Sequence, residues 1–252
     1  MKKLFFITIF FLLPFSAQAA LTDGLVSFWS LDDTTDATST NDLTNNNSVT
    51  FVTGKVGNAA DFESSSSQYL SISDASQSGL EPSEISIAFW YKPESCTSEA
   101  TQISKWDSSA TWSYAMKASN GACDNLDAYV SDSSSNLTHI RNAWASTGVW
   151  AHIVFTYDNT SGGELWIDGS SVGTDTSTRT IFNGNAPFAI GAAYGTSPAR
   201  YFDGIIDEVG VWDHALSQSE IDTLLKSGAD EFIKKPFNVE VLKGRIQALL
   251  EL

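Results

Sequence analysis

An all-β fold, two antiparallel sheets packed face to face, is what this 252-residue sequence predicts, on three observations. Short runs of apolar, aromatic and β-branched residues recur between residues 24 and 212, separated by clusters of Gly, Ser, Asn and Asp. The clearest run, ISIAFWYK (85–92), has the period of two of a strand: Ile85, Ile87, Phe89 and Tyr91 face one way, and Ser86, Ala88, Trp90 and Lys92 the other. Nothing helical alternates with these runs before Ser217, which excludes a parallel α/β architecture.

In chain order, residues 1–19 form a signal peptide. Lys2 and Lys3 give a positive start, residues 4–15 an apolar run too short to span a membrane, and Ala17-Gln18-Ala19 a small-residue cleavage site. No Cys follows the cut, so a lipid anchor is not expected and the protein is secreted or periplasmic, exported by a bacterial-type Sec route. GLVSFWSL (24–31) is a first strand, followed by Asp32-Asp33 and a polar loop. Short strands follow at 51–52, 59–62 and 69–72, then the alternating strand 85–92. Residues 103–106, 112–117, 126–130 and 137–141 form four strands between Ser/Asn/Gly turns. VWAHIVFTYD (149–158) and ELWIDG (164–169) form a hairpin across Ser161-Gly162-Gly163. Residues 170–173, 187–191 and 205–212 supply the last strands. Ser217-x-x-Glu220 is a capping box that opens a helix of two to three turns.

The formal charge is −16, and loss of Lys2 and Lys3 with the signal peptide makes it −18. Such a chain repels nucleic acid and anionic lipid, which removes both as partners. The acidic surface fits either plain solvation in salty surroundings or recruitment of Ca²⁺. Cys96 and Cys123 are the two cysteines of a chain bound for an oxidising compartment, and they are expected to form a structural disulfide. The closed loop of roughly 28 residues contributes on the order of 3.5 kcal/mol in the chain-entropy model.

Five stretches together resemble the laminin-G-like (concanavalin A-like lectin/glucanase) jelly-roll family. They are FWSLDD (28–33), GKVGNAADF (54–62), SIAFWYKP (86–93), the hairpin from Trp150 through Trp166 to Gly169, and the closing YFDGIIDEVGVWDHALSQSEIDTLL (201–225). The resemblance runs in order over roughly residues 21–225. It implies a jelly-roll domain at 20–227. It also implies a structural Ca²⁺ with Asp32 and Asp207 as carboxylate ligands and help near Gly57-Asn58. The alternative for Asp207 is that it caps a turn by accepting backbone N–H groups. The final segment, 228–252, changes composition. Five Lys or Arg fall in the last 27 residues against seven in 20–225. The segment resembles the C-terminal strand, Lys-Pro turn and amphipathic helix of a response-regulator receiver domain. With no acceptor aspartate or parallel array before it, receiver chemistry does not transfer to Lys235. It reads either as a fused or assembly-derived fragment or as a docking helix native to the family.

Catalytic patterns are sparse. No Glu-x-Asp-x-x-Glu strand supplies the paired carboxyls of glycoside hydrolysis, although Asp203, Asp207, Glu208 and Asp213 cluster and Glu164 and Asp168 bracket one strand. His139, His152 and His214 lack zinc spacing. Trp106, Trp112, Trp144, Tyr194 and Tyr201 lie in or beside polar, Gly/Ser-rich segments, where exposed aromatic faces stack on sugars. The expectation is a secreted, non-catalytic module that binds carbohydrate or surface glycoprotein, in adhesion or recognition. The alternatives are a polysaccharide hydrolase or lyase on the same sandwich, and a structural piece of an envelope assembly.

Overall fold

The computed structural model describes residues 21–38, 41–106, 112–119, 125–143, 146–194 and 197–229. The expected signal peptide and receiver-like tail helix, Trp144 and Cys123 lie outside these residues. The strands are β1 (Leu25–Trp29), β2 (Thr44–Asn46), β3 (Thr50–Thr53), β4 (Asn58–Phe62), β5 (Tyr69–Ile72) and β6 (Ile85–Pro93). They continue as β7 (Thr101–Trp106), β8 (Trp112–Ala118), β9 (Asn125–Ser131), β10 (Leu137–Ala143), β11 (Ala151–Asp158) and β12 (Gly162–Ile167). The last are β13 (Ser170–Asp175), β14 (Phe188–Ile190), β15 (Ala193–Tyr194), β16 (Pro198–Ala199) and β17 (Gly204–Trp212), followed by helix α1 (Gln218–Ala229).

Two antiparallel sheets form the expected sandwich. One runs β13-β12-β11-β6-β17-β4-β3 with β1 also paired to β17; the other runs β10-β9-β8-β7-β14-β5-β2. A small ribbon, β15-β16, stands apart. The alternation along β6 sends Ile85, Ile87, Phe89 and Tyr91 inward, as their spacing requires. They meet Ile103, Tyr114, Met116, Val130 and Phe188 of the facing sheet in one continuous core. Trp29 stacks on Phe188 with ring centroids 5.0 Å apart. The closing strand β17 is the hub of its sheet, hydrogen-bonded to β1, β4 and β6. The β11–β12 reversal needs Gly162 at φ +97°, where a side chain would strike the Asp175 carbonyl.

A charged residue stands at one inward position of β7. Lys105 shares its register with Tyr114 and Phe188 and is fully buried. Its ammonium reaches Asp74 at 2.7 Å, Glu81 at 2.9 Å and the carbonyls of Gly184 and Ala186 at 3.3 and 2.6 Å. Two carboxylates and two carbonyls replace its water, and the loops that supply them are thereby tied to the sheet.

Helix α1 lies over the outer face of the eight-stranded sheet, where Leu216 and Ile221 pack on Ala88, Val154, Trp166 and Trp212. Its capping box forms with a variation: the Glu220 carboxylate accepts both the backbone N–H and the hydroxyl of Ser217, each at 2.7 Å.

Candidate functional site

Among the described residues no helix lies over the outer face of the seven-stranded sheet, which carries a cavity of about 420 Å³. Its walls come from β8, β9 and β10 by alternation. Along β9, Leu126, Ala128 and Val130 point into the core, so Asp127 and Tyr129 point out. Along β10, Ile140 points in, so His139 and Arg141 point out. Antiparallel register then places Arg141 beside Asp127 and Asp127 beside Lys117, one rung of alternating charge across three strands. The neighbouring rung sets His139 beside Tyr129.

The aromatic floor depends on a bulge. Tyr114 and Met116 of β8 point inward, and strict alternation would send Trp112 inward as well. The β7–β8 register slips between Lys105 and Trp106, so Trp106 pairs with Trp112 and both indoles reach the outer face. Their rings meet edge to face at 4.4 Å, and Tyr129 joins at 6.2 Å from Trp106 and 5.2 Å from Trp112. His139 closes the row 5.7 Å from Tyr129. Two buried polar atoms in this group, Trp112 Nε1 and the Tyr129 hydroxyl, have no hydrogen-bond partner among the described residues. Burial pushes the Tyr129 hydroxyl well above the usual tyrosine range, so it stays protonated.

Charged groups surround the floor. Glu99 accepts an ion pair from Lys117 and another from Arg200 at 2.7 Å. The Arg200 guanidinium lies 4.5 Å over Trp106. Asp127 takes Nε and Nη2 of Arg141 at 2.6 and 3.0 Å, with His139 Nε2 at 3.4 Å. Burial opposes its ionisation, but hydrogen bonds from His139 and Arg141 prevail and hold its carboxyl at about 2. Glu99 and Arg200 both adopt left-handed backbone, φ +67° and +57°, a conformation uncommon outside glycine and concentrated at functional sites.

The expected aromatic residues therefore divide. Trp106 and Trp112 form the floor of the cavity. Tyr194 and Tyr201 gather instead around Tyr69, at ring distances of 5.5 and 6.2 Å, and Tyr194 lines a second hollow of about 350 Å³ with Asp42, Ser71 and Pro187. The β15–β16 ribbon stands between the two, since Ala193 packs on the Trp106 cluster and the next residue on Tyr69. Sequence reading passed over Tyr129, Arg141, Glu99, Lys117 and Arg200 as site residues and weighed His139 only for zinc spacing. The pairs Asp127-x-Tyr129 and His139-x-Arg141 did carry a signal, because residues two apart on a strand share a face.

The three residues of the expected calcium site, Asp32, Asp207 and Asn58, do come to one turn. Glu208, at φ +53°, sits in a bulge of β17 that aims Asp207 at the 54–58 loop. Asp207 Oδ2 accepts the N–H groups of Lys55 and Val56, both at 2.9 Å, and Oδ1 accepts that of Glu208 at 2.9 Å. Asp32 Oδ1 accepts the Asn58 N–H at 2.8 Å. A fully buried carboxylate receiving these N–H donors has the geometry of a turn cap, the alternative reading of Asp207. Among the described residues, Asp61, Glu63 and Glu94 form a group of three acids whose oxygens lie within 4.8 Å of one another. Burial and the charges of Glu94, Glu63 and Asp203 raise the Asp61 pKa. Cys96 holds no free thiol; Cys123, its expected partner, lies outside the described residues, so that pairing stays an expectation. His152 is a packed strand residue, buried 4.9 Å from Trp90.

Comparison with known proteins places this geometry. The family model described as the concanavalin A-like lectin/glucanases superfamily (Laminin_G_3) matches residues 64–222. Domain 4 of AbnA, a GH43 extracellular arabinanase from Geobacillus stearothermophilus solved with arabinotriose, is 23% identical at a TM-score of 0.62, covering 80% of this chain and 98% of that domain. The binding domain of Paraclostridial Mosquitocidal Protein 1 is 16% identical at 0.67, covering 82% of this chain and 53% of that one. The binding domain of botulinum neurotoxin DC, in complex with SialylT, is 12% identical at 0.64, covering 83% and 52%. These likenesses show the shared fold. The Rattus norvegicus protein "Sushi, von Willebrand factor type A, EGF and pentraxin domain-containing protein 1" is 32% identical over 92 residues, which are 33% of this chain and 3% of that one. The chain thus spans a small part of the curated relatives it matches, the Mus musculus counterpart having the same figures.

Proposed function

We propose that this chain, which belongs to the concanavalin A-like lectin/glucanase superfamily, is an exported, non-catalytic module that binds carbohydrate, free or on a surface glycoprotein. The observation that carries the reading is the open cavity floored by Trp106, Trp112 and Tyr129. Aromatic faces receive the C–H faces of sugar rings, and rim hydrogen-bonding groups receive hydroxyls. Such a surface on a rigid sheet binds by shape without performing chemistry. Neighbouring folds lend support: one similar domain was solved with arabinotriose and another with SialylT.

The charges of the cavity favour binding over hydrolysis. Glycoside cleavage needs one carboxyl that holds a proton beside another that does not. Here Asp127 is driven towards its ionised form, and Glu99 receives two cations. The hydrolase reading has Asp61 on its side, a carboxyl with a raised pKa near Glu63 and Glu94, though none of these lines either cavity described. Titration calorimetry against a panel of oligosaccharides, with reducing-end release measured on the same mixtures, tests both. Saturable binding without release supports the module, and release abolished by Asp61→Asn sinks it. No helix among the described residues is long and apolar enough to cross a membrane. The intact mass of the exported protein checks cleavage after Ala19 and the disulfide together.

A further inference from the structure

We infer that the sugar received in this cavity is anionic, its carboxylate held by the guanidinium groups of Arg141 and Arg200. The inference rests on the carbohydrate reading above and narrows it to a class. Residues 20–225 contain seven Lys and Arg. Three of them, Lys117, Arg141 and Arg200, line this one cavity, together with His139. Three cations against Glu99 and Asp127 leave the cavity positive in a chain of formal charge −16.

Exposure decides which of these charges a ligand meets. The side chains of Arg141 and Arg200 are 50% and 39% exposed, whereas their partners Asp127 and Glu99 are 3% and 17% exposed. The acids stand behind and the guanidiniums in front. Each guanidinium is also fixed in orientation. Asp127 grips Arg141 at two points, and Arg200 is set by its stack on Trp106 and its bond to Glu99. A planar fork already held in place loses little freedom on receiving a planar carboxylate. A neutral sugar could use the aromatic floor but would bring no charge to the exposed edges of these guanidiniums. Polyanions are a different case. Nucleic acid or an anionic membrane spreads many charges over the acidic remainder of the surface, which repels them. A single acidic sugar places one charge within the cavity, and at physiological salt the rest of the chain is screened beyond about 8 Å.

Titration of the full-length exported protein at 0.15 M salt with trigalacturonate, a sulfated galactan trisaccharide that carries no carboxylate, and arabinotriose tests the assignment. The expected result is trigalacturonate bound at least ten-fold more tightly than the other two. Arg200→Gln and Arg141→Lys should each weaken it ten-fold or more while circular dichroism stays unchanged; Arg141→Lys keeps a cation beside Asp127, so its loss reports the fork and not misfolding. Lys92→Ala, outside the cavity, should bind as the parent does. Arabinotriose bound as tightly as trigalacturonate overturns the anionic class and leaves the carbohydrate reading standing. Preference for the sulfated sugar overturns the carboxylate assignment. Equal weakening by Lys92→Ala shows general charge attraction and overturns the cavity as its seat. Binding of none of the three, nor of any sugar in the oligosaccharide panel, overturns this inference and the reading beneath it together.

Discussion

The sandwich has two outer faces, each furnished with tryptophans, and they have been put to opposite uses. On the eight-stranded sheet Trp166 and Trp212 lie under helix α1 with Ala88, Val154, Leu216 and Ile221. On the seven-stranded sheet Trp106 and Trp112 form the floor of an open cavity rimmed by charge. Both faces contain an indole N–H without a partner among the described residues, Trp166 Nε1 on the covered face and Trp112 Nε1 on the open one. An orphan donor therefore does not by itself mark a binding site. What separates the faces is access, together with the ion pairs that crowd the open one.

The largest difference should appear in stability. Trp212 is buried and donates its Nε1–H to the Leu21 carbonyl at 2.8 Å. Trp212→Ala is expected to lose about 3–5 kcal/mol in urea denaturation while the folded fraction still binds its sugar. A cost below about 1 kcal/mol would show that α1 is not a structural roof. Next is Asp207→Ala, on the same sheet. It strips a carboxylate from the buried N–H groups of Lys55 and Val56 and should cost on the order of 3 kcal/mol. Chelator should leave the parent's melting temperature unchanged; a fall matching the Asp207→Ala loss would return Asp207 to the role of metal ligand.

The two faces should also part company in acid. Burial, then the nearby Lys55 charge, lowers His152 to about 3 against 6.5 for an exposed histidine. The unfolded chain binds that proton first, so stability is full above pH 6.5 and falls as pH drops towards 3. The loss between pH 7 and pH 5 is about 2 kcal/mol. His152→Phe should flatten this stretch of the stability profile. The open face responds later: Asp127, held at about 2, contributes stability that is complete above the ordinary 3.8 and lost as pH falls through 2.

Binding gives the converse contrast. Trp112→Ala should weaken sugar binding ten-fold or more, about 1.4 kcal/mol, with less loss of stability than Trp212→Ala. The reverse ranking would make the aromatic floor mere packing. The smallest effect is expected at the helix cap, where Glu220→Ala should cost about 1 kcal/mol and leave binding untouched.

Much of the fold was legible residue by residue. The alternation of 85–92 became β6 with its inward and outward sets as read, and the capping box at Ser217 opened α1. Short β2, β15 and β16 escaped notice because β2 is polar throughout and the other two have two residues each, so none shows an apolar run. The site was legible only in part. Trp106 and Trp112 stood out by type, but of the others, alike in composition, Tyr194 lines another hollow across the β15–β16 ribbon and Tyr201 packs beside Tyr69.

From the sequence alone come the strands, their buried faces, the helix start and the scarcity of cations, because each follows from local period, local capping or a count. The tertiary structure alone decided which strands are neighbours and at what offset. It brought Glu99, Lys117, Asp127 and Arg141 into one row, carried Arg200 over Trp106, and slipped β8 so that Trp112 faces outward. Alternation fixes the two faces of a strand; register, bulges and the closure of a sheet depend on partners far along the chain, which no local pattern encodes.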